Sequence, residues 1–214
     1  RDRLEFTQTE KKHQEALQRA RDELAQEHFQ AAGLECDKAE AIKVSSATRR
    51  LRKQILDGKK RADWMIRGER ALHDDDPAAA EKAFASANEI EPSAETEKRI
   101  RTARAARLVQ EARAAIAKGD LLAAERSLRR SRWELEGSPW GLPNPEAKRM
   151  FEHMKPAFEA ARLAQNGDRA MARGEYLEAV RLYEKALPAL PAPADDIVQA
   201  KLIKARKATT QPRN

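Results

Sequence analysis

Aromatic side chains make up only 5% of this 214-residue chain, and cysteine occurs once, as Cys36. A single thiol excludes an internal disulfide and leaves the redox compartment open. No run of apolar residues is long enough to cross a bilayer as a helix. The four histidines, His13, His28, His73 and His153, stand far apart without metal-ligand spacing. They read as solvated or packing residues, and no metal or other cofactor is expected. "LDGKKR" resembles the end of a phosphate loop, but Lys53 falls where the first Gly belongs and Lys60 where Ser or Thr is needed. "HDDDP" at 73–77 lacks the further loop oxygens of a calcium site; it reads as Asp76 capping a helix that begins at Pro77. No nucleophile, base and orienting group can be assembled, so the chain is not expected to be an enzyme.

Charge is abundant instead. Asp, Glu, Lys and Arg supply 36% of the residues, with a net charge of +7 and a pI near 9.6. This balance suits long, well-solvated helices, and it permits an acidic partner without requiring one. The chain starts at Arg1 rather than Met, which suggests a processed product or a piece excised from a longer protein.

The patterning is helical and recurs. Ala179, Tyr183 and Ala186 sit at i, i+4 and i+7, on one helix face. Small residues at the ends of the triplet let a neighbouring helix approach, and the bulky residue between them fills the gap. Ala80, Phe84 and Ala87 repeat this spacing, as do Ala124, Leu128 and Ser131. Each triplet follows a turn, "HDDDP", "KGD" or "RGE", and each turn follows another helical segment.

These residues carry a family resemblance. Trp64, Gly68, Ala71, Ala80, Phe84, Ala87 and Pro92 resemble the signature of the tetratricopeptide repeat, as do Leu163, Gly167, Ala170, Gly174, Tyr176, Ala179, Tyr183, Ala186 and Pro191. In the unit at 105–138, Ser131 replaces an Ala and Glu136 stands where a Pro would close it. An earlier unit around Gly33 would have Ala39, Lys43 and Ser46 as its triplet, with Lys43 in the bulky apolar position. The resemblance implies an all-α solenoid of antiparallel helix hairpins. The family repeats every 34 residues or so, whereas Ala80, Ala124 and Ala179 stand further apart than that.

The excess falls at the N-terminal ends of the first helices, over 47–63, 94–104 and 145–160. Ser93 is expected to cap the middle one, and Asn144-Pro145 to start the last. Pro156 is expected to kink or break that last helix. The loop "GSPWGLPNP" at 137–145 takes up the remainder. The expected organisation is then a long N-terminal helix over 3–28 within 1–46, repeats at 47–92, 93–138 and 139–193, and a cap at 194–214. The helix over 3–28 carries a stripe of Leu4, Ala16, Leu17, Ala20 and Leu24. In the cap, Ile197, Val198, Leu202 and Ile203 would cover the last repeat, and "TTQPRN" would be a disordered tail.

Two surfaces could take a partner. The resemblance assigns a concave face to Met65, Ile66 and Glu69, then Val109, Gln110 and Arg113, then Gln165, Asp168 and Met171. That mixed, partly apolar set would suit an extended peptide or an amphipathic helix of a partner protein. The alternative for Ile66, Val109 and Met171 is packing between repeats. The second surface is a basic ridge on the extensions, with Arg49, Arg50, Arg52 and Lys53, then Lys98, Arg99 and Arg101. Interleaved Glu95, Glu97 and Glu152 argue for a solvated, internally paired face there. No aromatic interleaves with these runs to stack bases, which argues against nucleic acid as the partner. Trp133 is expected to plug a packing gap, and Trp140 to be exposed or folded back over the array. The function expected is a non-catalytic protein–protein interaction scaffold. Its rivals are nucleic-acid or acidic-partner binding through the ridge, and a self-assembling homo-oligomer paired through the helix over 3–28.

Overall fold

The computed structural model of the protein describes residues 2–137 and 144–210, with side chains from Phe6 onward. Nine α-helices and no β-strand occur among them. They are α1 (Asp2–Ala25), α2 (Phe29–Ile42), α3 (Ser46–His73), α4 (Pro77–Ile90), α5 (Ala94–Ala117), α6 (Leu121–Glu136), α7 (Pro145–Ala172), α8 (Tyr176–Ala186) and α9 (Ala194–Thr210). Trp140 and most of its loop, Leu4's side chain and residues 211–214 of the tail lie outside the described set. The chain forms two compact units, Arg1–Ile100 and Arg101–Asn214, in which helices adjacent in sequence pack on one another in order.

The helices pair through four turns of one geometry. The second residue of each turn, Glu27, Asp75, Gly119 or Gly174, has a φ of 61°, 57°, 76° or 75°. That left-handed residue lets the next N–H reach back to the carbonyl five residues earlier. The bonds are His28 N to Glu23 O at 2.9 Å, Asp76 N to Ala71 O at 2.8 Å, and Asp120 N to Ala115 O and Glu175 N to Ala170 O, both at 2.9 Å. Asp76 and Asp120 then cap the second helix, each carboxylate accepting from the N–H three residues on, at 2.9 and 3.0 Å. The expected cap at Asp76 is thus present.

A fixed register follows from the shared turn. A small residue of the first helix stands twelve positions before an alanine of the second: Ala20 and Ala32, Gly68 and Ala80, Ala112 and Ala124, Gly167 and Ala179. All eight are buried. The first hairpin belongs to this set, and its triplet is Ala32, Cys36 and Ala39. The expected triplet of Ala39, Lys43 and Ser46 is therefore corrected. α2 ends at Ile42, Lys43 reaches back to Glu10 at 2.8 Å, and Ser46 already begins α3. The expected helix over 3–28 likewise stops at Ala25, where the turn begins.

The first helices α3 and α7 each run 28 residues and α5 runs 24, against 14, 16 and 11 for the second helices α4, α6 and α8. Their starts are capped alike: Ser45 Oγ accepts from Thr48 N at 3.1 Å, Ser93 Oγ from Thr96 N at 3.2 Å, and Asn144 Oδ1 from Ala147 N at 3.1 Å. α7 continues through Pro156 without a break. Pro156 and Glu152 both lie on the exposed side, where water can take the carbonyl that proline leaves without a donor. In α9 the buried face is Ala194, Val198, Leu202 and Ala205, whereas Ile197 and Ile203 of the expected capping face are 45% and 47% exposed. A straight helix turns those two isoleucines away from the 194–198–202–205 stripe.

Candidate partner-binding surface

Of the nine residues expected on a concave face, the structure removes one outright. Val109 is 3% exposed and belongs to the apolar core of the C-terminal unit, so it cannot meet a partner. Met171 is partly buried and packs against the same core. The charged members are engaged with residues of other helices. Glu69 of α3 pairs with Arg99 of α5 at 2.7 Å, and Arg113 of α5 pairs with Glu146 of α7. Asp168 of α7 accepts from Lys201 Nζ of α9 at 2.8 Å and from Tyr183 Oη of α8 at 2.8 Å. Gln110 is half-buried, Gln165 is exposed, and Met65 and Ile66 lie side by side on α3.

Tyr183 shows what these contacts do for the fold. Its ring lies over Gly167, where a β-carbon would fall 2.6 Å from Cε1, and this position carries the hydroxyl to Asp168. Burial, together with the carboxylate beside it, pushes the phenol well up from its ordinary value. A raised folded-state value means that the stabilisation is complete below the unfolded phenol's pKa of about 10 and drains away as pH rises through the folded value. Tyr183→Phe is expected to cost about 1.5–3 kcal/mol at neutral pH, the worth of a hydrogen bond to a charged group. It should also flatten the alkaline decline. Thermal unfolding of both proteins, followed from neutral to strongly alkaline pH, checks this.

The basic ridge is less free than its composition suggests. Arg52 is held by Asp37 at 2.6 Å and by Glu40, and Arg99 by Glu95 and Glu69. Lys98 and Arg101 also have partners. Arg49, Arg50 and Lys53 remain exposed, with Arg50 donating to its own helix at Ser46 O. Trp133 is 62% exposed rather than a packing plug. A β-carbon at Gly137 would come within 3.0 Å of its ring, so the indole lies along the helix end with its outer face open. It shares a stripe of α6 with exposed Arg126 and Arg130, at i, i+4 and i+7. The signal "RSLRRSRW" is legible in the sequence, but it lies on a second helix, outside the extensions that carry the basic ridge.

His13 is buried, with Nδ1 3.0 Å from Ala39 O and Nε2 3.3 Å from Ser45 Oγ; this ties α1 to the start of α3. No group of three His, Cys, Asp or Glu among the described residues could hold a metal ion. No described helix is long and apolar enough to cross a membrane.

The N-terminal unit contains an open groove of about 800 Å³. Its floor is one face of α3, from Gln54 to Ile66, and its walls are the α1–α2 turn and the α4–α5 link. Leu24, Phe29, Ala62, Met65, Ile66 and Ile90 supply its apolar surface. Phe29 can sit against the floor because Gly58 has no side chain: a β-carbon there would fall 2.7 Å from Cε1 of the ring. Glu27, Asp57, Glu91 and Glu95 line the groove as well, with Arg61 as its one cation. A smaller cavity of about 190 Å³ in the C-terminal unit lies where α9 meets the α5–α6 turn and α7, and it includes Gln165 and Asp168.

No family model, curated protein or solved structure matches this chain.

Proposed function

We propose that the chain is a non-catalytic protein–protein interaction scaffold. In this reading it is a tetratricopeptide-like solenoid of antiparallel hairpins with extended first helices, and it holds a partner segment against exposed first-helix positions. One observation carries the reading. Two positions before the small residue of each first helix stand Gln18, Ile66, Gln110 and Gln165. Three hairpins keep this outward position polar, and α3 alone places an isoleucine there, 66% exposed. One position earlier, Leu17, Val109 and Ala164 are buried, whereas Met65 in α3 is only half-buried and opens onto the groove. An apolar pair left open at a register that is otherwise closed or polar is what a partner-binding surface requires.

Ile66→Glu is expected to abolish capture of the partner while leaving stability within about 0.5 kcal/mol, as for other exposed substitutions. Pull-down with the intact chain and the variant, alongside thermal unfolding of both, tests this. Retention of every captured protein by the variant would end the proposal.

The α6 stripe favours a second reading, an acidic or single-stranded nucleic-acid partner on Arg126, Arg130 and Trp133. Stacking on Trp133 would contribute about 1–3 kcal/mol, with affinity falling steeply as salt rises. Titration of an oligonucleotide into the intact chain and Trp133→Ala checks it, and equal affinities would dismiss it.

A further inference from the structure

We infer that the α3 groove is a docking site for a cationic amphipathic helix of a partner protein. This rests on the proposed binding role and adds the chemistry of the partner. The floor runs from Gln54 to Ile66, about 18 Å at helical rise, which matches about three turns of a helix laid along it. Ala62 lies one turn before Met65 and Ile66, and Phe29 and Ile90 line the two walls beside them. This is the arrangement that receives apolar anchors at i, i+3 or i+4, and i+7.

The charge decides which helix fits. Four carboxylates line the groove against one guanidinium, whose terminal nitrogens are engaged: Arg61 donates to Ser93 Oγ at 3.2 Å and lies 3.8 Å from Glu91, while its buried Nε has no partner. Glu95 is paired with Arg99 at 2.9 Å. Glu27 and Asp57 have no ion-pair partner among the described residues, and they flank the apolar floor. A net-acidic groove on a chain of net charge +7 is a local reversal of sign. Lysines or arginines bordering the apolar face of a docked helix would meet those carboxylates.

The test uses the full chain and two synthetic amphipathic peptides of about four turns. They share one leucine face and differ only in carrying lysine or glutamate beside it. Fluorescence anisotropy at low and at physiological salt should show the lysine peptide binding at least about tenfold tighter. The overall charge of +7 would favour the glutamate peptide, so selectivity for lysine must come from the groove. The double variant Glu27→Lys/Asp57→Lys, with circular dichroism unchanged, should erase or invert the preference. Equal affinities, a preference for glutamate, no binding of either peptide, or an unchanged preference in the double variant would each overturn the inference. Self-association of the peptide-free chain, abolished by Ile66→Glu, would assign the groove to a second copy and overturn it too. The two readings fail separately. If Ile66→Glu releases the captured partner but charge reversal does not, the inference falls and the scaffold role stands.

Discussion

Replacing Phe84 by Ala is expected to cost the N-terminal unit about 3–5 kcal/mol, the range for deleting a buried aromatic ring. Phe84 is fully buried, and its ring presses on Gly68 so closely that a β-carbon there would stand 2.4, 2.6 and 2.7 Å from three ring atoms. Truncation would leave a void on a backbone that cannot supply a side chain to fill it. The reverse change, Gly68→Ala, is expected to destabilise by about 1–3 kcal/mol through overpacking. It does so although alanine is the better helix former by about 1 kcal/mol. Gly33 gives the control, since a β-carbon there meets nothing within 4 Å. Gly33→Ala should therefore gain about 0.5–1 kcal/mol. The double variant Gly68→Ala/Phe84→Leu reproduces the pairing of Ala112 with Leu128 in the third hairpin, where both residues are buried. It should recover most of the loss from Gly68→Ala. Denaturant midpoints, with amide exchange to localise the change to α3 and α4, measure each step.

That pairing also explains how far the sequence can be read. The hairpins α3–α4 and α7–α8 were legible because glycine, aromatic and alanine fall at fixed offsets, and α5–α6 because Ala112, Leu128 and Ala124 keep those offsets around a turn with Gly119 and Asp120. The first hairpin was not, because Ala20 faces Cys36 across a turn of Gln26, Glu27 and His28, with neither Gly nor Asp to announce it. Its turn residue Glu27 takes a left-handed φ of 61°, which glutamate rarely adopts, so no local signal marks the break after Ala25. The pairing within the basic ridge is hidden in the sequence for a different reason. Composition counts Arg52 and Arg99 as surface charge, whereas their partners Asp37, Glu40 and Glu69 lie on other helices and become neighbours only on folding. The groove was half legible. Met65 and Ile66 could be picked out on α3, but its walls come from residues 24–29 and 90–95, which the sequence places far from them.

Val109→Glu is expected to cost the C-terminal unit about 3–5 kcal/mol at neutral pH, because it buries a carboxylate with no counter-charge. Val109 stands three positions before Ala112, as Met65 stands three before Gly68, so in sequence the two are equivalent candidates for a partner face. Both lie at the edge of the apolar stripe of their helix, and edge positions take their burial from whatever packs alongside. In the C-terminal unit Val109 joins the cluster formed with Leu121 and Leu128, while Met65 opens onto the groove. A buried glutamate has its pKa raised, so the penalty should be least below the unfolded value of about 4.3 and grow as pH rises through the folded value. The difference in unfolding free energy from the parent chain should therefore narrow on acidification. Met65→Glu should show neither the large loss nor this pH dependence, since water reaches its side chain from the groove. If the two variants lose stability equally and follow pH alike, the groove is closed in solution, and the surface proposed for the partner helix is core.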